Sequence, residues 1–258
     1  MNKTDRLQDI QEILTKNGRV EVSNLCRIFN VSEMTIRRDL NILVKNGVAI
    51  RSHGGALLFS PSILNERTYE LRSNAHIPEK KAIARAALNY IRSGIHCFFD
   101  SSSTVYNLAR IMPNDEKLIV VTDTLKTAIE LNNRTNVEVI MIGGEIRKST
   151  YSATGIFAEK MLESMNFDVA FLGISSITME GDITTTTTTD FQTKSTVLRN
   201  SKTKILMFDS SKISTKPDFL LICNVVKFDI IITDSGIPDK FVKNADNKGI
   251  KTIIVNPA

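Results

Sequence analysis

The chain has 258 residues, enough for one large domain or two unequal ones. With 42% hydrophobic and 24% charged residues, its composition is that of a globular protein and excludes a disordered or fibrous chain. The formal charge of +5 is unevenly spread, because residues 1–60 hold 9 Lys/Arg against 6 Asp/Glu. This N-terminal excess of positive charge favours an anionic partner for that part of the chain.

The cysteines and histidines argue against several kinds of site. The chain has three cysteines, far apart and without a CxxC pair, which excludes a disulfide framework and a zinc ribbon. The three histidines add no metal-ligand spacing, so we predict neither a metal nor a cofactor. The N-terminal residues lack an apolar signal core, and no run approaches the roughly 18 apolar residues of a membrane span. We therefore expect a cytoplasmic protein without a membrane partner.

Three short helices are predicted at the start of the chain. The first carries apolar residues at helical spacing and ends near Gly18, which suits a helix C-terminus. Ser23 is predicted to cap a second helix and Ser32 a third. Two β-prone runs around His53 then predict a hairpin. Three helices followed by a hairpin are typical of a winged helix-turn-helix, here over residues 3–58.

The third helix is predicted to present a polar face to DNA. Ile36 and Leu40 belong to its apolar side, and the opposite side carries groups that can bind base edges or phosphates. The hairpin adds a wing beside this helix. The residues predicted to contact DNA are Ser32, Met34, Thr35, Arg37, Arg38, Asn41, Arg51 and His53. For this helix taken alone, the alternative is a solvated polar face with an internal arginine–aspartate pair through Asp39.

The sequence of this region closely resembles the N-terminal domain of the DeoR family of bacterial transcriptional regulators. The resemblance lies in the stretch RLQDIQEIL…VSEMTIRRDLNILVKNGVAIRSHGGA, about 55 residues including the wing motif RSHGGA. The residues at the family's spacing are Arg6, Ile10, Leu14, Ser32, Thr35, Ile36, Arg37, Arg38, Asp39 and Leu40. The resemblance implies a regulator that binds double-stranded operator DNA.

Residues 59–77 lack clear periodicity, and we predict that they form a linker. From Pro78 onwards the sequence shows regular helical and strand patterns. Pro78 suits the first turn of a helix. Short apolar strands then alternate with helical segments, which predicts a doubly wound, mostly parallel α/β domain over 78–258. The predicted strands are 96–100, 118–123, 137–144, 168–174, 204–209, 228–234 and 251–255. The threonine-rich 183–190 is predicted to be a polar loop entering a helix around 190–199.

Polar residues follow several of these strands, at the sheet edge where parallel sheets bind ligands. Hydroxyls at a helix start suit a phosphate, glycines allow close approach of the backbone, and carboxylates can accept hydrogen bonds from sugar hydroxyls. Helix capping alone would explain any one of these loops. Several on one sheet edge favour a polar pocket.

The second domain resembles the sensor domain of the DeoR family, which is similar in fold to ribose-5-phosphate isomerase. This resemblance implies a phosphorylated sugar as effector. The predicted effector-binding residues are Asp100, Ser101, Ser102, Ser103, Thr104, Thr122, Asp123, Gly143, Gly144, Lys194, Asp209 and Lys212. Two departures bear on the effector's identity: Ser102 stands where the family usually has glycine, and six threonines at 184–189 replace a more mixed loop.

We predict a transcriptional repressor of a carbohydrate-metabolism operon, acting as a homodimer or homotetramer and released from DNA by the phosphosugar. The alternative is a sugar-phosphate isomerase or transferase that uses Asp100, Asp209 and Lys212 as acid and base groups. An RNA-binding protein is disfavoured, because the winged-helix outline lacks an aromatic stacking platform.

Overall fold

The computed structural model describes residues 3–45, 49–52, 54–58 and 69–257. Its contacts divide the chain into two compact units, Met1–Asn65 and Glu66–Ala258. The predicted wing residue His53 and the 59–68 part of the predicted linker lie outside the described residues. The remainder of that predicted linker is not a simple connection, because it contains a helix and belongs to the second unit.

The described part of the first unit has three helices and a three-stranded antiparallel sheet in the order β1-β3-β2. The elements are α1 (Lys3–Asn17), β1 (Arg19–Glu21), α2 (Val22–Phe29), α3 (Glu33–Lys45), β2 (Ala49–Ser52) and β3 (Gly55–Leu58). Buried apolar residues from all three helices, including Ile10, Leu25 and Leu40, form one core with residues of the sheet. The structure thus confirms the predicted winged helix-turn-helix.

The helix starts show one correct and one wrong prediction. Ser32 caps α3 as expected, with its Oγ accepting the Thr35 N–H at 3.4 Å. The cap of α2 is Glu21 in extended geometry, not Ser23, which lies inside the first turn. The reason is strand β1, whose Val20 pairs with Ala56 and carries the chain in extended form up to the helix. A strand of three residues is too short for its alternation of apolar and polar residues to be recognised in the sequence, and its partner strand is distant in the chain.

The second unit is built on a seven-stranded parallel sheet in the order β16-β15-β12-β9-β4-β5-β6. The elements up to β9 are α4 (Tyr69–Asn74), α5 (Ile77–Ala87), β4 (His96–Phe99), α6 (Ser103–Ile111), β5 (Leu118–Thr122), α7 (Leu125–Asn132), β6 (Val137–Met141), β7 (Glu145–Arg147), β8 (Ser152–Thr154), α8 (Ile156–Glu163) and β9 (Phe167–Leu172). The others are β10 (Ser176–Thr178), β11 (Asp182–Thr185), α9 (Thr188–Arg199), β12 (Ser201–Met207), β13 (Ile213–Ser214), β14 (Leu220–Asn224), β15 (Ile230–Asp234), α10 (Asp239–Asn247) and β16 (Lys251–Val255). Short 3-10 helices lie at Leu88–Tyr90, Ser210–Lys212 and Val225–Lys227.

All seven predicted strands are present in this sheet, and apolar clusters bury both of its faces. The chain runs from β4 outwards through β5 and β6, then returns to place β9, β12, β15 and β16 on the other side of β4. The strand order therefore reverses between β4 and β9. In open parallel sheets, the carboxyl edge at such a switch point is where ligands bind.

Two smaller sheets were not predicted: the hairpin β7–β8 and a four-stranded sheet in the order β13-β10-β11-β14. The prediction of a polar loop over 183–190 is wrong for its first half, which forms strand β11. Threonine is β-branched and favours strands, so a run of threonines need not be a loop. Further along the run, the hydroxyl of Thr187 caps α9 by accepting the Asp190 N–H at 3.3 Å. Across the described residues, no helix has the length and apolar character needed to cross a bilayer.

Candidate functional site

The outer face of α3 is a continuous exposed surface. Ser32, Arg37, Arg38 and Asn41 are exposed, Met34 is 64% exposed, and Thr35 is half-buried. Ile36, Leu40 and Leu43 face the core on the other side. Every predicted DNA-contact residue of this helix therefore lies away from the core.

Some charged side chains in and around α3 lie on this exposed face, and others are buried in the interior. Asp39 is buried and pairs with the buried Arg6 of α1, with Nε 2.7 Å from Oδ2. Arg37 forms an exposed pair with Glu33, with 3.1 Å between Nη2 and Oε2. An internal arginine–aspartate pair does exist, but its arginine comes from α1. Arg37 and Arg38 therefore both stay on the outer face.

The wing contributes Arg51 on β2. Its side chain is half-buried, and its Nη1 donates to the carbonyl oxygen of Gly55 at 3.5 Å. The backbone of Gly55 passes so close to β1 that a Cβ there would lie 1.9 Å from the Val20 carbonyl oxygen. This glycine lets β3 pair with β1, which ties the wing to the helical core.

A buried ionic cluster marks the switch point of the second unit. Asp100, directly after β4, accepts the Ser102 N–H at 3.0 Å and, across the reversal, the Gly173 N–H at 2.8 Å. Lys194 of α9 places its Nζ 3.1 Å from Asp100 and 2.5 Å from Asp190. Burial lowers the pKa of Lys194, but the two carboxylates outweigh burial and raise that pKa above its ordinary value. The ammonium group is therefore charged and held in place.

Asp123, after β5, has a different character. It is buried, and its Oδ1 has no hydrogen-bond partner among the described residues. Burial, reinforced by the charge of Asp100, raises its pKa to about 8, although Lys194 acts in the opposite direction. At neutral pH this carboxyl therefore carries a proton and can donate a hydrogen bond.

Asp123 lines a small cavity, about 20 Å³ in volume, at the carboxyl edge of the sheet. The lining residues are Ser101, Asp123, Arg147, Thr150, Ser152, Thr154, Thr189, Asp190 and Thr193. All nine carry a hydroxyl or an ionisable group, so many polar atoms are available at the cavity surface. This volume holds about one water molecule.

Several predicted effector residues serve the fold. Ser102 caps α6 by accepting the Val105 N–H at 3.1 Å, and its side chain fills the space that a Cβ on Gly173 would need. Thr122 donates from Oγ1 to the Phe99 carbonyl oxygen at 2.8 Å, joining β5 to β4. Thr104, in the first turn of α6, is buried. These positions shape the loops of the site.

Gly143 and Gly144 lie in the loop between β6 and β7. Gly144 has φ +140°, and a Cβ there would lie 2.4 Å from the Thr154 carbonyl oxygen of β8. Gly143 has open space around its Cα. Close packing of the loop on the hairpin thus explains Gly144, and the hairpin in turn supplies residues of the cavity.

The remaining predicted residues gather at the end of β12. Asp209 is buried and accepts a hydrogen bond from the Ser211 hydroxyl, while its Oδ2 has no partner among the described residues. Burial lowers the pKa of Lys80 to about 8, the charge of Asp209 partly offsets this effect, and Lys212 lowers the pKa further. Ser103 connects to this region through a hydrogen bond from its Oγ to the Arg72 carbonyl oxygen at 3.3 Å.

The sequence prediction missed cavity residues on α9 and on the hairpin β7–β8; those of α9 are Thr189, Asp190 and Thr193. Arg147 donates from Nη1 to the Thr189 hydroxyl at 2.7 Å across the cavity. Thr150, Ser152 and Thr154 line the cavity from the same hairpin. Their spacing of two is typical of one face of a strand, and this was the available signal. Among the described residues, no group of His, Cys, Asp and Glu is placed to hold a metal ion.

Comparisons with known proteins agree with this two-part organisation. Residues 6–62 match the model of the DeoR-like helix-turn-helix domain, and residues 75–235 match that of the DeoR C-terminal sensor domain. Among solved structures, ribose 5-phosphate isomerase A from Neisseria gonorrhoeae aligns over 53% of each chain, with 14% identity and a TM-score of 0.39.

Relatives of similar length are regulators. The chain is 35% identical to the HTH-type transcriptional regulator YulB of Bacillus subtilis, covering 97% of this chain and 96% of YulB. It is 33% identical to the lactose phosphotransferase system repressor of Staphylococcus aureus N315, covering 91% and 93%, and 30% identical to the regulator GlpR of Haloferax volcanii, covering 98% of each. The chain therefore belongs to the DeoR family and is a transcriptional regulator, not an enzyme.

Proposed function

We propose that the protein represses a carbohydrate-metabolism operon and that a phosphorylated sugar bound in the second unit releases it from operator DNA. The observation that carries the proposal is the outer face of α3, which presents Arg37, Arg38 and Asn41 to solvent while the helix is anchored by its buried side. The relatives that carry repressor names include one of a lactose phosphotransferase system.

On DNA, α3 enters the major groove. Arg38 can bridge O6 and N7 of guanine, and the Met34 side chain offers apolar contact to a thymine methyl group. Ser32 and Thr35, at the helix start, contact a phosphate near the positive end of the helix dipole. Arg51, together with His53, contacts the flanking backbone from the wing.

In the second unit, the cluster around Lys194 and Asp123 recognises the sugar. Asp123 donates to one sugar oxygen, and the hydroxyls of the hairpin bind others. The cavity is too small for a sugar phosphate in this conformation. We expect the cavity to widen when the effector binds by breaking the Arg147–Thr189 hydrogen bond, which would couple binding to a movement of β7–β8. The effector thereby selects a state with low affinity for DNA.

One winged helix makes too few base contacts to specify an operator, so the regulator acts as a homodimer or homotetramer. Two copies of α3 then read two half-sites. In this mechanism the effector changes the spacing of the DNA-binding units and leaves their individual surfaces unchanged.

Fluorescence anisotropy of the full chain on DNA from upstream of its own gene tests the proposal. We expect tight binding that a scrambled duplex of equal length does not show, and release by one member of a panel of aldose and ketose phosphates. Measurements at two salt concentrations distinguish specific contacts with bases from electrostatic attraction to the phosphates. Attraction to the phosphates alone gives weak and steeply salt-dependent binding. Binding of only that second kind, unaffected by any sugar phosphate, would contradict the proposal.

A further inference from the structure

The short helix α4 is hydrogen-bonded to the first residue of α6. The carbonyl oxygen of Arg72 accepts hydrogen bonds from the Ser103 hydroxyl, at 3.3 Å, and from the Nζ of Lys80. Lys80 also donates to the Ala75 carbonyl oxygen at 2.6 Å, so one buried ammonium group satisfies two carbonyls at the end of α4. These contacts fix the main chain of Arg72 beside Ser103, one of the predicted effector-binding residues.

The guanidinium group of Arg72 is left without a matching acceptor. Its Nε and Nη2 are both buried and have no hydrogen-bond partner among the described residues. Its other interaction is with the ring of Tyr69, whose centroid lies 5.8 Å from Cζ. Buried donors without acceptors are costly, and the planar fork of a guanidinium matches the paired oxygens of a phosphate or carboxylate.

The charges around this group also favour an anion. The charges that act on Lys80 are those of the carboxylates Asp209 and Glu79 and of the cations Lys212 and Arg72. With Lys80 itself, the group contains three cations and two anions. Burial lowers the pKa of Lys80 to about 8, partly offset by Asp209, while Lys212 and Arg72 lower it further. Among these five groups the cations outnumber the anions by one, which favours an anionic ligand beside Arg72.

We propose that Arg72 binds the anionic group of the effector, with Lys212 as its cationic partner at the end of β12. This inference rests on the proposed function and adds to it a residue on α4 that recognises charge. The cluster around Asp123 and Lys194 then contacts the sugar, while Arg72, Lys212 and Ser103 at the start of α6 contact the anion.

The side chain of Arg72 can be changed without breaking the hydrogen bonds of its main chain. Both hydrogen bonds to Ser103 and Lys80 use the main-chain carbonyl, which any residue retains. We therefore choose Arg72→Gln, which removes the charge, and Arg72→Lys, which keeps the charge but loses the fork. Arg85→Gln is the matched control, because Arg85 is an exposed arginine on the adjacent helix α5.

The experiment measures ligand affinity of the full chain by calorimetry and by thermal unfolding at constant ionic strength. The probes are inorganic phosphate and the panel of sugar phosphates. Arg72→Gln should weaken binding of both by about tenfold or more, Arg72→Lys by less, and Arg85→Gln by nothing measurable. If the glutamine variant does not fold, a clear loss of affinity in Arg72→Lys supports the inference.

Three other results have distinct meanings. Unchanged affinity in the folded Arg72 variants overturns this inference and leaves the proposed function standing. A wild-type chain that binds neither phosphate nor any sugar phosphate overturns both. Phosphate binding that depends on Arg72, with no sugar phosphate releasing DNA, supports the anion site and contradicts the proposed function.

Discussion

The side chains of Arg37, Arg38 and Asp39 have different surroundings although they are consecutive in α3. Asp39 is buried against Arg6, Arg37 is paired on the surface with Glu33, and Arg38 is exposed on the outer face. A helical periodicity of 3.6 residues produces this division. Sequence periodicity predicted which side each residue faces, but not the partner of Asp39, which lies 33 positions away in the chain.

At this scale, Arg38→Ala tests base reading. The substitution should cost about 1–3 kcal/mol of specific operator affinity, because the proposed role of Arg38 is to contact a base. The thermal stability should stay unchanged, because the side chain is exposed. Anisotropy titrations on operator and scrambled DNA measure this loss, with Arg85→Ala as a control for the removal of one surface arginine. Equal losses on both duplexes would mean that Arg38 contacts only phosphates.

Asp123→Asn tests the buried carboxyl. The folded-state pKa of about 8 lies above the ordinary value of 3.8, so the folded state keeps a proton that the unfolded chain releases. The stability that this proton provides is complete below about pH 4 and declines as the pH rises through 8. Asparagine cannot ionise, so the variant should be more stable than the wild type at pH 8, by about 1 kcal/mol or more.

Denaturant unfolding at several pH values between 5 and 8 measures that difference. Asp246→Asn, on an exposed position of α10, serves as the control. The prediction is wrong if the difference in unfolding free energy between the wild type and Asp123→Asn does not change with pH over this range. That result would show that Asp123 is ionised throughout.

Elements differ in how well their sequences reveal them. Each of the seven strands of the parallel sheet contains a short apolar run, which is typical of a sheet covered on both faces. The hairpin β7–β8 has only three residues in each strand and a polar face towards the cavity, so it lacks such a signal. It nevertheless supplies Arg147 and three hydroxyl residues to the site.

Gly144→Ala tests how this hairpin positions the site. The new Cβ would meet the Thr154 carbonyl oxygen at 2.4 Å, and the φ of +140° is unfavourable for alanine. We expect a loss of about 1–3 kcal/mol in stability and weaker effector binding, since β8 must move. Gly143→Ala, in open space one residue earlier, should leave the stability unchanged. If Gly144→Ala behaves in the same way as Gly143→Ala, the hairpin does not depend on this close packing.

At the scale of the whole molecule, the two units have separate cores. One cluster around Ile10, Leu14 and Leu40 stabilises the first unit, and two clusters cover the faces of the sheet in the second. Within the described ranges no apolar cluster contains residues of both units, so a substitution in one core should destabilise mainly its own unit.

Asp39→Ala tests this independence. Removing one partner of a buried ion pair leaves Arg6 uncompensated, so the first unit should lose about 3–5 kcal/mol of stability. The control Glu33→Ala breaks an exposed pair worth less than about 1 kcal/mol. Calorimetric unfolding should show the first transition lowered, DNA binding lost and effector binding retained. A shift of both transitions together would show that the units unfold as one.

The sequence by itself determined the winged helix-turn-helix, the parallel sheet, the outward face of α3 and the group of polar strand ends. These features follow from local periodicity and from the rule that the carboxyl ends of parallel strands share an edge. Only the tertiary structure revealed the Arg6–Asp39 pair, the contact between Lys194 and Asp100, the position of the hairpin β7–β8 at the cavity and the buried Arg72 nitrogens without hydrogen-bond partners among the described residues. Each of these depends on residues far apart in the chain, whose distance, burial and charge are set by packing.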